Sequence, residues 1–258
     1  AFHGSGTAYS TAFRAFAPVD IAFVPVGGTS PTASVNDAIR IARILSASTV
    51  VPINGNEDEL AKFAERAGAD GLFLTMPYML ASKSSGSALE VSLRYFSAVR
   101  GATRLPILLH QTRAVPPEFR LTERLLGALL DMGGFLGIKV ATNDPSEMAR
   151  VARIVEGTGF ALICGNEALW LRALELGAVS VVGGGCNVYP ELLAAVRERF
   201  LAGDTEGARR AQEAILAAMR GPGEFGLDGS IFWRQYLALK GVRIEPFERG
   251  KRARPYPR

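Results

Sequence analysis

The 258-residue chain is 48% apolar and 21% charged, with a formal net charge of +4. That balance excludes wholesale disorder and allows a sizeable core, in one barrel-sized domain or two smaller ones. Much of the basic excess sits in the tail R-G-K-R-A-R-P-Y-P-R at 249–258, with no basic face or aromatic platform beside it, so no nucleic-acid function is read from it.

In chain order, short apolar runs alternate with segments of helical period. Strands are predicted over 19–26, 49–53, 70–75, 105–110, 135–139, 160–164 and 179–182. Helices are predicted between them over 34–45, 57–67, 87–100, 122–132, 145–154, 167–176 and 190–201. The strands are nearly continuous apolar runs, which a parallel sheet buried on both faces requires. Two near-repeats, A-E-R-A-G-A-D-G-L-F-L at 64–74 and A-L-E-L-G-A-V-S-V-V at 173–182, end a helix on glycine and start a strand within two residues.

Seven such units plus an eighth strand at 6–13 would close a (β/α)8 barrel, a TIM barrel. Only about five residues separate 6–13 from the next strand, too few for a parallel crossover, so a truncated first βα unit is expected. An open doubly wound sheet is the alternative. Two further helices, 204–220 and 230–240, flank the breaker G-P-G-E-F-G and read as an appended helical extension. The expected division is a barrel over 1–202 and a helical extension with the basic tail over 203–258.

No run approaches the roughly 20 apolar residues of a membrane span, and the N-terminus lacks the order of a signal peptide. Cys164 and Cys186 stand in apolar, strand-like surroundings and read as buried thiols. A cytoplasmic protein without membrane partners is the expectation.

In a barrel, chemistry collects at the C-terminal strand ends. One such end is F-L-G-I-K-V-A-T-N-D at 135–144, an apolar strand closing on Lys139. Other strand ends supply hydroxyls, amides and glycines, with no metal-ligand cluster and no phosphate-loop or nucleophile-elbow motif. Neither a metal nor a cofactor is expected. A lone lysine there suits covalent amine chemistry, because burial lowers its pKa and frees the nucleophile. It would equally suit an ion pair with Asp144 or Glu167.

G-I-K-V-A-T-N-D resembles the motif G-I-K-x-x-S-G-D of the dihydrodipicolinate synthase and N-acetylneuraminate lyase family of Schiff-base aldolases. A-G-A-D-G-L-F-L-T-M-P-Y, L-P-I-L-L-H-Q, C-G-N-E-A-L and E-L-G-A-V-S-V-V-G-G-G-C-N-V-Y-P are similar to its neighbouring strand motifs, over about residues 19–240. The resemblance implies the (β/α)8 fold, with Lys139 as the lysine that forms an imine with a 2-oxo acid. It implies that Thr29 and Ser30, with Gly28, bind the substrate carboxylate, although G-G-T-S-P replaces the usual G-T-T-G-E. His110 takes the place of the family's proton-relaying tyrosine, and Gln111 that of an asparagine. Thr142 would donate a hydrogen bond near the imine, and Gly165 and Asn187 would line the distal pocket. Tyr78 would stand at a subunit contact, a substrate wall or a packing site.

The implied function is a lyase, an aldolase or hydro-lyase, acting on pyruvate or a longer 2-oxo acid such as a 2-keto-3-deoxy sugar acid, with an aldehyde as possible second substrate. A homo-oligomer, dimer or tetramer, is the family's usual assembly. The alternatives are a barrel that binds a 2-oxo acid without turnover, a dihydrodipicolinate synthase-like condensation, and a phosphate-dependent enzyme using Gly183 to Gly185 as its anion site.

Overall fold

The computed structural model describes residues 21–23, 48–53, 57–83, 85–224 and 229–241. The predicted strand at 6–13, the helix at 34–45, and with them Gly28, Thr29, Ser30 and the matter of a truncated first unit, lie outside the described residues. Among the described residues seven strands form one parallel sheet: β1 Ile21–Phe23, β2 Ser48–Ile53, β3 Gly71–Thr75, β4 Ile107–Gln111, β5 Phe135–Val140, β6 Ala161–Cys164 and β7 Ser180–Val181. Their spatial order is their chain order. A doubly wound sheet reverses order at a switch point, so this unreversed winding is that of a (β/α)8 barrel.

The helices between and after the strands are α1 Glu57–Ala67, α2 Ala88–Ala102, α3 Glu123–Met132, α4 Pro145–Val155, α5 Trp170–Glu175 and α6 Pro190–Leu201. Their starts follow from local chemistry. Ser87 and Glu90 form a reciprocal capping box on α2, Thr122 caps α3 through the Leu125 N–H, and Asp144 followed by Pro145 opens α4. The segment predicted as one helix over 167–176 divides into a 3-10 turn, Glu167–Leu169, and the short α5.

Two more helices follow, α7 Thr205–Glu224 and α8 Gly229–Leu239. The predicted breaker is corrected in part: α7 runs on through Gly221 and Pro222 to Glu224. A proline in the last turn removes only the bond that the Ala218 carbonyl would have accepted. Gln212 joins α7 to the barrel, its Oε1 accepting from the Leu171 N–H at 2.9 Å and its Nε2 donating to the Glu167 carbonyl at 2.9 Å. Among the described residues no helix is long and apolar enough to cross a membrane.

Strand alternation sorts the side chains into two layers. Leu72, Leu74, Ile107, Leu109, Ile138, Val140, Leu162, Cys164 and Val181 pack with the helices in one continuous core. Phe73, Leu108, Lys139, Ile163 and Ser180, of the opposite parity, are buried on the other face, the barrel interior. Both faces are therefore covered, which explains the unbroken apolar runs.

Candidate active site

Sheet register brings one interior residue from each of five strands to the same level. Thr75 pairs with His110, His110 with Lys139, Lys139 with Ile163 and Ile163 with Ser180. The backbone ladder continues past the strand ends and fixes the rim: the Ala141 N–H donates to the Gln111 carbonyl at 2.9 Å and the Gly165 N–H to the Val140 carbonyl at 2.9 Å.

Lys139 lies one residue before the end of β5, which closes on Val140. It is 7% exposed. Burial pulls its pKa down from 10.5 to about 8, against the opposing pull of the Glu167 carboxylate and the thiols of Cys186 and Cys164. Its Nζ stands 6.0 Å from the centre of the Phe73 ring. Phe73 in turn stacks on His110, ring centres 5.0 Å apart and planes 23° from parallel.

His110 is held neutral. Burial, with the adjacent Lys139, lowers its pKa from 6.5 to about 3. Its Nε2 and the Thr112 Oγ1 are buried polar atoms with no hydrogen-bond partner among the described residues. Unsatisfied buried polar atoms are uncommon in native interiors, and a pair of them two residues apart beside a buried lysine suits a polar ligand.

Of the two carboxylates weighed as partners for Lys139, Asp144 is exposed and caps α4, accepting from the Ser146 N–H at 2.8 Å. Glu167 is 7% exposed. It begins the 3-10 turn after β6, and its Oε1 accepts from the Gly185 N–H at 2.5 Å. Gly183 leaves room for it, since a Cβ there would come within 2.2 Å of the Glu167 carboxyl carbon. The Asn166 Nδ2 ties this turn to the loop after β5, donating to the Thr142 carbonyl at 2.8 Å and to Asn143 Oδ1 at 2.9 Å.

Several residues predicted to line the site do other work. Gln111 is corrected outright: pleating turns it to the helix layer, where its Nε2 donates to Glu147 Oε1 at 2.7 Å and its Oε1 accepts from the Leu121 N–H at 2.8 Å. Arg150 completes that network, its Nε donating to Glu147 Oε2 at 2.7 Å. Gln111→Ala strands the buried Leu121 N–H, so a loss of about 1–3 kcal/mol is expected. A lower thermal midpoint with unchanged reactivity of Lys139 is the result that checks this placement.

Thr142 is engaged in a local turn, its Oγ1 accepting from the Asp144 N–H at 2.9 Å. Gly165 is required by close passage of the chain, because a Cβ would lie 2.7 Å from the Ala141 nitrogen. Asn187 is half-buried in the turn Gly184–Asn187 and its Nδ2 donates to the Gly184 carbonyl at 3.2 Å. Tyr78 is half-buried and packs against the main core.

The site residue that the sequence did not single out is Phe73, which alternation along β3 would have found. Glu167 was weighed beside Asp144 as a partner for Lys139, with nothing local to separate the two. Among the described residues no group of three His, Cys, Asp or Glu side chains could hold a metal ion.

The model of the dihydrodipicolinate synthetase family matches residues 54–222. The chain is 31% identical over 161 residues to a 4-hydroxy-tetrahydrodipicolinate synthase of Clostridium perfringens, covering 62% of this chain and 52% of that enzyme. It thus spans about half the length of that curated relative. A prophage protein of the dihydrodipicolinic acid synthase family from E. coli K12, solved with pyruvate, superposes with a TM-score of 0.73 at 23% identity, over 93% of this chain and 83% of that one. An N-acetylneuraminate lyase from Mycoplasma synoviae gives a TM-score of 0.65 at 17% identity, over 86% and 75%. Both neighbours share the barrel fold.

Proposed function

The chain belongs to the dihydrodipicolinate synthetase family, and from that premise we propose that it is a lyase whose Lys139 forms a Schiff base with pyruvate or a longer 2-oxo acid. The observation that carries this reading is a buried lysine on the barrel interior, its pKa brought down to about 8 by burial. An amine attacks a ketone only when neutral. At pH 7 roughly one Lys139 in ten is neutral, against ~1 in 3,000 for an unperturbed lysine.

The neutral amine adds to the ketone carbon, water leaves, and the resulting iminium draws electrons from the neighbouring carbon–carbon bond. That electron sink serves aldol cleavage, condensation and dehydration alike. A neutral His110 serves as a hydrogen-bonding group to substrate, as neutral imidazoles can, and not as a cation. Thr112 Oγ1 offers a second polar contact on the same strand end. The oxo-acid carboxylate would fall to the loop of Gly28, Thr29 and Ser30, as the family pattern implies.

Pyruvate with borohydride tests the reading: a stable mass adduct on Lys139 is expected, and no adduct with any small 2-oxo acid would sink it. The labelling rate should climb with pH through about 8, where half of Lys139 is neutral, and level off roughly a unit higher. His110 should add no inflection near 6.5, because it already stays neutral down to about 3. An inflection near 6.5 would contradict its placement.

The neutral His110 also favours a second reading, a barrel that forms the imine but does not turn over. A panel of aldehydes and 2-keto-3-deoxy sugar acids separates the two: labelling without any product identifies the binding protein.

A further inference from the structure

We propose that Glu167, and not His110, carries protons between Lys139 and the ketone oxygen during imine formation, an assignment that rests on the Schiff-base reading above. The chemistry sets the need. A lysine ammonium bears three protons on nitrogen and the iminium bears one, so two protons leave the nitrogen. Both depart with the ketone oxygen as water, and the positive charge passes from ammonium to iminium. Some group must take each proton from nitrogen and hand it to oxygen, returning to its starting state at the end.

The interior around Lys139 offers few groups for this. His110 is protonated only toward about pH 3, because burial and the neighbouring ammonium exclude a second cation. The thiols of Cys164 and Cys186 are pushed up to about 12 by burial, and they stay protonated. The Tyr189 phenol is pushed above its usual range by burial and by the Glu167 charge. Two carboxylates are buried among the described residues, Glu147 and Glu167. Glu147 lies in the helix layer, held by Arg150 and Gln111.

Glu167 is the one on the lysine's side. β5, β6 and β7 are adjacent, with Lys139, Ile163 and Ser180 in register, and Glu167 and Gly183 follow Ile163 and Ser180 by four and three residues toward the mouth. The carboxylate charge acts on Lys139, on both thiols and on Tyr189. The loop after β7 is shaped around it: the Gly185 N–H fixes Oε1, and Gly183 has no side chain where the carboxyl lies. The cycle is then balanced. Glu167 takes a proton from the ammonium, and the freed amine pair forms the carbon–nitrogen bond while the carbonyl π pair moves to oxygen. Glu167 protonates that oxygen, takes the second proton from nitrogen, and delivers it as the carbon–oxygen bond breaks and the nitrogen pair closes the C=N bond. It ends as the carboxylate it was.

Glu167→Gln keeps the shape and an oxygen for the Gly185 N–H while removing the proton carrier. With pyruvate and borohydride, labelling of E167Q at saturating pyruvate is expected to be ~10²–10⁴-fold slower than wild type, the usual contribution of a general acid–base group. The thermal midpoint and half-saturating pyruvate concentration should be unchanged. E167D should recover part of the rate.

A group that only balances the lysine charge predicts the reverse. Removing its negative charge would favour the neutral amine and leave E167Q labelling as fast as wild type or faster, and that result overturns the assignment. Wild-type protein that fails to label refutes the Schiff-base reading itself, whereas a labelled wild type with an unaffected E167Q refutes only the role of Glu167.

Discussion

Lys139→Met is expected to abolish pyruvate-dependent borohydride labelling and to reduce turnover by something on the order of 10³ to 10⁶, the range seen when a covalent nucleophile is removed. Methionine retains most of the stem volume and removes the amine, so the fold should survive. Lys139→Arg should be as inactive, because a guanidinium does not deprotonate in proteins. The same substitutions have a stability signature. Lys139 has a folded pKa of about 8, below its ordinary 10.5. The unfolded chain therefore holds this proton more tightly, and wild-type stability rises as pH climbs from about 8 toward 10.5. K139M should lack that rise. Denaturant titrations across the window check it, and an identical slope in both proteins would mean that the lysine is not buried as described.

The second large effect is expected far from the chemistry. Trp170, only 1% exposed, heads α5, and its Nε1 donates to the Leu193 carbonyl of α6 at 3.0 Å. Trp170→Ala removes the indole, leaves a cavity and strands that carbonyl. A loss of ~3–5 kcal/mol follows from burial alone. For a domain of this size that is a fall of roughly 6–20 °C in thermal midpoint. Because α5 continues from the turn that holds Glu167, labelling of Lys139 should slow in the surviving folded fraction. A midpoint within about 2 °C of wild type, the effect of a surface substitution, would refute the packing.

Much of the architecture was legible locally. The helices predicted over 57–67 and 190–201 coincide with Glu57–Ala67 and Pro190–Leu201, because apolar period and the proline at the start of α6 act within a few residues. Boundaries drifted where tertiary contacts extend a strand, as when β5 takes in Val140 by pairing it with Gln111 and Cys164. Gln111 was misplaced because position beside His110 suggested a shared site, whereas adjacent strand residues face opposite ways. Alternation was available in the sequence; which parity faced the interior was not.

The sequence by itself determined that apolar strands would alternate with capped helices around a parallel sheet, and that one strand would present a lysine near its end. Those are properties of short stretches of chain, set by side-chain size, branching and capping chemistry. The tertiary structure decided which groups meet that lysine. His110 and Ile163 flank it because parallel register aligns residues more than 20 positions apart. Glu167 and not Asp144 is its buried carboxylate because Gly183 leaves room for one, the Gly185 N–H holds it, and α4's first turn engages the other. The same burial brings the lysine to about 8 and the histidine to about 3, values that follow from what surrounds each group and not from its neighbours in sequence.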